Sequence, residues 1–181
     1  MNSLAELEST AFLRLLAHPG RSPEIPESDD LYGWLVGSWE LDVINYWGDI
    51  SSRKLKAEAH FAWTLEGRAI QDVWIIPRPE QRNSLPDPKL FSYGTTLRVW
   101  DPRTRTWQVT WINPVTGTHI HLVARRISND IVQIGAFPDG TPIRWIFRDI
   151  TQNSFRWTGE TLQPDGQTWL LQGDFHAHRI P

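Results

Sequence analysis

The sequence predicts an all-β protein, a ten-stranded antiparallel up-and-down barrel preceded by an N-terminal helix. Three observations support this prediction. Apolar and polar residues alternate along most of the chain after residue 31, short turn sequences separate the alternating runs, and most of the large rings fall on one side of the alternation. A single sheet with one apolar face closes most economically as a barrel, because closure removes its edge strands.

Length and composition limit the alternatives. A chain of 181 residues suits one domain with a substantial core. The absence of cysteine excludes a disulfide framework, a Cys-ligated zinc site and a thiol nucleophile. A net charge of −3 argues against a partner such as nucleic acid. The chain contains 11 tryptophans, too many large rings for a protein surface, so we expect most of them to be buried.

The helix is predicted over Ser3 to His18. Ser3 is a suitable N-cap, Glu6 stands at the capping-box position, and Pro19-Gly20 ends the pattern. A polar linker with two prolines follows, so we divide the chain into a helical arm at 1–30 and a barrel domain at 31–181. We expect the apolar stripe of the helix to pack on the barrel, with a dimer contact as the alternative.

Ten alternating runs predict the strands, and turn residues such as Glu66-Gly67 and Pro164 to Gly166 lie between them. The predicted strands are 38–47, 54–65, 68–76, 92–100, 105–113, 117–126, 130–136, 141–148, 153–161 and 167–178. The one long connection, Pro77 to Phe91, contains four prolines and is a candidate lid.

The alternation also predicts which side chains face the interior. It places every tryptophan inside except Trp34, which precedes the strands, and Trp100, which points outward. In the run 92–100 it places Tyr93, Thr95 and Leu97 inside and Arg98 outside. The polar side chains predicted to face inward are Asn45, Asp72, Tyr93, Thr95, Asn113 and Gln133.

Several local sequences carry a family resemblance. Gly37-Ser38-Trp39 opens the first strand, Val99-Trp100-Asp101-Pro102 and Trp111-Ile112-Asn113-Pro114 follow, and Phe155-Arg156-Trp157 lies further on. Over about residues 31–180 the chain resembles the calycins, the lipocalin and fatty-acid-binding-protein-like barrels. It is most similar to bacterial lipocalin-like proteins of unknown function, the DUF1579-type group. The resemblance implies that Trp39 closes the base of the barrel, with Arg179 or Arg156 stacked on it.

The predicted function is binding of a small, largely apolar molecule inside the barrel. Aromatic walls with a few convergent polar groups are typical of small-molecule sites. The predicted walls are Trp63, Trp111, Trp145 and Trp157, and the predicted polar contacts are Asn45, Asp72, Tyr93, Asn113 and Gln133. The alternative is a filled barrel in which the rings contact one another.

The sequence leaves two other functions open. Asp72 and Tyr93 would be the acid and base of an enzyme, because a carboxylate among rings has a raised pKa unless it is paired. The resemblance implies that isomerases, cyclases and hydratases are precedents. The alternative for Asp72 is a salt bridge with Arg68 or Arg126. A histidine near the last strand, His176 or His178, would hold haem if it faced inward, as the resemblance to nitrobindin-like barrels implies, although the alternation points both outward.

Other features predict what the protein does not bind. Nothing in the sequence matches a phosphate-binding glycine loop or a hydrolase nucleophile elbow, so we expect no cofactor. We expect neither a nucleic-acid nor a membrane partner, and a cytoplasmic location follows from the absence of a targeting pattern at the N-terminus. A homodimer formed through the arm remains an open alternative.

Overall fold

The computed structural model is a closed ten-stranded antiparallel β-barrel preceded by one helix, as the sequence predicts. It describes residues 4–46, 55–84 and 91–181. Helix α1 spans Leu4–Leu16, and the two-residue strand β1 spans Ala17–His18. The barrel strands are β2 Gly37–Tyr46, β3 Lys56–Thr64, β4 Ala69–Ile76, β5 Ser92–Asp101, β6 Thr106–Asn113, β7 Thr118–Ile127, β8 Asp130–Ala136, β9 Pro142–Arg148, β10 Ser154–Leu162 and β11 Trp169–Arg179.

Each barrel strand pairs with the strands that precede and follow it in the chain, and β11 pairs with β2 to close the ring. Every pairing is antiparallel, and strand β1 adds to the barrel beside β3. All ten predicted strands are confirmed within two residues at their described ends. The turn prediction holds as well. Gly140 and Gly166 adopt positive φ angles of 87° and 69° in two hairpin turns, a conformation that glycine adopts without strain.

Residues 17–36 cross one end of the barrel, which we call the closed base. Ile25 and Leu35 are buried in the same core as the strands, and the Tyr32 side chain is fully buried there. Trp107 Nε1 donates a hydrogen bond of 2.7 Å to the carbonyl oxygen of Asp29. The part of the arm after the helix therefore packs as part of the barrel, whereas the division of the chain at residue 30 stays a prediction.

Most of the described apolar side chains of helix α1 are exposed. Phe12 and Leu15 are 62% and 81% exposed, so the prediction that the helix packs its apolar stripe on the domain is wrong for these two residues, whereas Leu16 is partly buried. Within the described part of the chain, no helix has the length and apolar character needed to cross a membrane.

The predicted lid is described only in part. Pro79–Ser84 form a short 3₁₀ helix, and the guanidinium of Arg82 lies 5.7 Å from the centroid of the Tyr93 ring on the outside of the barrel. Residues 85–90 of the predicted lid lie outside the described residues.

Two register shifts change which face a side chain occupies. Val43 pairs with Phe175 but Asn45 pairs with Asp174, so Ile44 is an extra residue in β2. Asp174 faces outward, where it pairs with Arg156, and Asn45 lies beside it. The prediction that Asn45 faces the interior is therefore wrong, because one inserted residue reverses the alternation beyond it.

The second shift moves a tryptophan to the outside. Gly159 pairs with Gly173 but Glu160 pairs with Leu171, so Gln172 is the extra residue in β11. Trp169 consequently lies on the outer face, with the Arg144 guanidinium 4.3 Å from its ring centroid. The predicted inward position of Trp169 is wrong for the same reason as that of Asn45. Trp47, also predicted inward, lies outside the described residues.

The predicted inward position is confirmed for the other described tryptophans. These are Trp39, Trp63, Trp74, Trp107, Trp111, Trp145 and Trp157. Trp100, predicted to point outward, faces inward instead and packs against the core opposite Trp107. The error at Trp100 extends along the whole of strand β5, as described below.

Candidate functional site

The barrel is filled at the closed base and hollow toward the opposite end. The cavity has a volume of about 330 Å³ and lies beneath the β6–β7 and β8–β9 turns. Its lining residues are Trp74, Ile76, Ser92, Thr96, Arg98, Trp111, Asn113, Thr116, Thr118, Ile120, Phe137, Trp145, Trp157 and Phe175. The volume lies within the range of roughly 300–1,000 Å³ that is common for small-molecule sites.

Trp157 is the centre of the aromatic wall. Its ring stacks on Phe175 with centroids 5.2 Å apart and planes 27° apart, and Trp145 lies 5.7 Å away at a tilt. The backbone makes room for this ring, since a Cβ atom on Gly159 or Gly173 would lie 2.8 or 2.9 Å from it. The two glycines and the four-ring wall formed with Trp74 therefore shape one side of the cavity.

Polar groups line the side of the cavity formed by β5, β6 and β7. Asn113 is buried, donates from Nδ2 to Ser92 Oγ at 3.3 Å, and accepts a 3.0 Å hydrogen bond from the Val115 backbone N–H. Thr96 and Thr118 also line this side. Hydroxyl and amide groups of this kind can donate to or accept from a ligand.

The floor of the cavity contains a buried ion pair. Arg98 Nη1 donates to Asp72 Oδ2 at 2.5 Å, and both side chains are almost completely buried. The Thr96 backbone N–H donates to the other carboxylate oxygen, Asp72 Oδ1, at 2.6 Å. Arg98 Nε finds no hydrogen-bond partner among the described residues.

Aromatic rings surround the Arg98 guanidinium on its inner side. The ring centroids of Tyr32, Phe61 and Phe147 lie 5.1, 5.6 and 5.9 Å from Arg98 Cζ. The Tyr32 hydroxyl donates to Gln133 Oε1 at 3.1 Å. Burial raises the pKa of the Tyr32 phenol well above its ordinary value, with a smaller opposing effect of Arg98. This layer separates the cavity from the filled base.

The structure brings four of the predicted ligand-binding residues together. Trp111, Asn113, Trp145 and Trp157 all line the cavity. Trp63 and Gln133 face inward as predicted, but they are buried at the filled end and do not line the cavity. Asp72 also faces inward, where its partner is Arg98 rather than Arg68 or Arg126.

The predicted orientation of strand β5 is wrong. Tyr93 is 47% exposed on the outer face, whereas Arg98, predicted outside, is 2% exposed inside. Thr95 and Leu97 lie on the outer face with Tyr93 because directly paired Asp72 and Thr96 share the inner face. The predicted acid and base, Asp72 and Tyr93, therefore lie on opposite faces of the barrel wall.

Strand β5 misled the prediction because its more apolar side faces outward. Its inner side is formed by Ser92, Gly94, Thr96, Arg98 and Trp100, and Trp100 alone among them is a large apolar residue. One signal in the sequence points to the observed orientation, because a carboxylate predicted to face the interior at Asp72 requires a cation. The structure adds that Gly94 leaves space for the Trp111 ring. Arg98 is the functional candidate that the sequence analysis missed.

The four histidines of strands β7 and β11 lie on the outer face, as predicted for His176 and His178. His119, His121, His176 and His178 are exposed. His121 Nδ1 is 2.9 Å from Thr110 Oγ1, and His176 Nε2 is 3.6 Å from Asp174 Oδ1. Neither His176 nor His178 faces the cavity, and haem ligation inside the barrel requires a histidine side chain that does. The described residues contain no cluster of three or more side chains placed to hold a metal ion.

The comparisons with known proteins do not identify a family. No protein-family model matches the chain, and no curated protein matches its sequence. The barrel with its N-terminal helix is consistent with a calycin-like fold. Arg179, and not Arg156, stacks on Trp39 at the closed base, with 4.1 Å between Arg179 Cζ and the ring centroid.

Proposed function

We propose that this protein binds a small, largely apolar molecule in the barrel cavity, as a member of the calycin-like barrels. The observation that carries the proposal is the cavity of about 330 Å³ at one end of a barrel that is otherwise filled. Trp111, Trp145 and Trp157 face one space, and the buried polar side chains of Ser92, Thr96 and Asn113 line the same space. This combination is the usual form of a small-molecule site.

The volume limits the size of the ligand. At about 30 Å³ for each liquid water molecule, the cavity would hold roughly eleven waters. A ligand of about a dozen non-hydrogen atoms fits this space, whereas a long-chain lipid does not. The wide, flat faces of Trp157 and Phe175 favour a molecule with a planar ring.

The calycin relationship is supported by Gly37-Ser38-Trp39 at the start of β2 and by the Arg179–Trp39 contact. Catalysis is not part of the proposal, because the two acid–base candidates face opposite sides of the wall. An acid–base role for Asp72 alone stays a prediction.

Two measurements test the proposal. Native mass spectrometry of the purified protein would reveal a small molecule that copurifies with it. Isothermal titration calorimetry with indole, whose size suits the cavity, should give binding at one site.

A matched pair of variants locates that binding. Thr118 lines the cavity at its rim, and its neighbour His119 is exposed on the opposite face of the same strand. Thr118→Phe should reduce indole binding at least tenfold by filling the space, whereas His119→Phe should leave it unchanged. Absence of both a copurified molecule and indole binding would contradict the proposal, as would equal effects of the two substitutions.

A further inference from the structure

Arg98 is the one charged side chain among the described residues that line the cavity. It is 2% exposed, and it lies on the floor formed with Asp72, opposite the cavity mouth. A ligand that fills the cavity would place one end against this guanidinium. The charge state of the floor therefore selects the polar group of the ligand.

The positive charge of Arg98 is already balanced. Asp72 accepts from Arg98 Nη1 at 2.5 Å, and no second cation lines the cavity within the described residues. A ligand carboxylate at this floor would share one guanidinium with Asp72 and leave a net negative charge buried. Burial of an uncompensated charge is strongly unfavourable.

A cationic ligand is disfavoured by repulsion from Arg98. Tryptophan faces attract cations, so the wall around Trp157 alone would favour an ammonium group. However, the Arg98 guanidinium faces the same space and would repel it, while the Asp72 carboxylate is already occupied by Arg98 and by the Thr96 N–H. The aromatic wall around Trp157 therefore favours stacking of an uncharged ring over binding of a cation.

The Arg98 guanidinium has more donors than Asp72 uses. A guanidinium can donate five hydrogen bonds, and Asp72 accepts one of them from Nη1. Because Arg98 lines the cavity, a ligand oxygen at the floor can accept a charge-assisted hydrogen bond from the guanidinium. Asn113 and Ser92 lie on the same polar side of the cavity.

We infer that the polar end of the ligand is an uncharged hydrogen-bond acceptor, such as an amide or ketone carbonyl, attached to a planar apolar body. The Arg98–Asp72 pair has no net charge, and its guanidinium donates a hydrogen bond to a carbonyl oxygen of the ligand. The same pair disfavours binding of carboxylates and of ammonium groups. This inference rests on the proposed function, since it specifies the ligand class of the same cavity.

Three probes of similar size and shape test the inference on the unaltered protein. Calorimetry compares phenylacetamide, phenylacetate and 2-phenylethylammonium at neutral pH. We expect phenylacetamide to bind roughly 10- to 100-fold more tightly than either charged probe. Equal or tighter binding of phenylacetate or 2-phenylethylammonium would overturn the inference, as would failure of all three probes while indole still binds. Failure of indole together with all three probes would instead contradict the proposed function.

A second experiment tests whether a substitution at the floor changes the ligand preference. Asp72→Asn removes the compensating charge and leaves Arg98 as an unpaired cation, so the preference should shift at least tenfold toward phenylacetate. Asp101→Asn is the matched control, because Asp101 pairs with Arg103 on the outside of the barrel. The order of affinities for the three probes should be the same in Asp101→Asn as in the unaltered protein. An unchanged ranking in a folded Asp72→Asn variant would overturn the inference, and if that variant does not fold, the ranking in the unaltered protein decides.

Discussion

Arg179 stacks on Trp39 at the closed base, with the guanidinium carbon 4.1 Å from the ring centroid. Its side chain also donates to the carbonyl oxygens of Val36 at 2.8 Å, Trp34 at 2.6 Å and Gln152 at 2.9 Å. One residue of the last strand thus ties together the segment before β2, the β9–β10 turn and the ring that fills the base. The contact holds the ends of the barrel sequence against each other.

Replacing Arg179 should destabilise the fold. Arg179→Ala removes a cation–π contact and three charge-assisted hydrogen bonds, so we expect the free energy of unfolding to fall by about 2–4 kcal/mol. Urea unfolding followed by tryptophan fluorescence measures it. Arg103→Ala is the control, because Arg103 is highly exposed and pairs with Asp101 alone among the described residues. Equal stability of the two variants would contradict the role of Arg179.

The Asp72–Arg98 pair should show strong coupling. Asp72→Ala or Arg98→Met alone leaves one buried charge unpaired, at a cost of about 3–5 kcal/mol in unfolding free energy. The double variant removes both charges, so its loss should be clearly smaller than the sum of the two single losses. Chemical denaturation of all four proteins completes the cycle. Additive losses would show that the two side chains do not stabilise each other.

Gly94 should be intolerant of a side chain. It lies inside the barrel opposite Trp74, and a Cβ atom there would overlap the Trp111 ring and the Ile112 carbonyl oxygen. We expect Gly94→Ala to lower the free energy of unfolding by about 1–3 kcal/mol and to weaken indole binding by displacing Trp111. Gly20→Ala is the matched control, since nothing lies within 4 Å of its Cβ position. A neutral Gly94→Ala variant would contradict the close contact.

The buried Tyr32 predicts loss of stability in alkali. Burial raises the pKa of Tyr32 above its ordinary value of 10.0, so the folded state keeps its proton at a pH where the unfolded chain loses it. The free energy of unfolding is unaffected by this group below pH 10 and should decrease by up to about 1.4 kcal/mol per pH unit above it.

Denaturant unfolding at several pH values between about 9 and 11 measures this slope. Tyr32→Phe should lower stability at neutral pH, because Gln133 loses its hydrogen bond, but should flatten the alkaline slope. The same slope in both proteins would show that another group controls alkaline unfolding.

The alternation of residues was sufficient to predict the architecture. Ten strands, their order and the inward position of residues such as Trp107 and Trp145 follow from a period of two combined with short turns. The cavity wall was predicted in part for the same reason, since Trp111 and Trp157 lie in regular stretches of strand.

The wrongly predicted side-chain orientations occur where the simple alternation of inward and outward residues fails. Asn45 follows the extra residue Ile44, and Trp169 precedes the extra residue Gln172. A single inserted residue puts the two parts of a strand in opposite alternation, so a face assigned from one part is wrong in the other. Tyr93 was predicted inside and Arg98 outside, the reverse of their positions, because strand β5 has its more apolar side outward. No pattern within that strand alone could reveal this, because the reason lies on the neighbouring strands.

The sequence by itself determined a closed antiparallel barrel with tryptophans inside, because alternation and turn chemistry are local properties of the chain. The tertiary structure alone decided that one end is filled and the other hollow, since the volume left inside depends on how rings from different strands meet. It also decided the chemistry of the floor. Arg98 faces inward because Asp72 on strand β4 requires a buried cation, and that relationship exists only once β4 and β5 are paired.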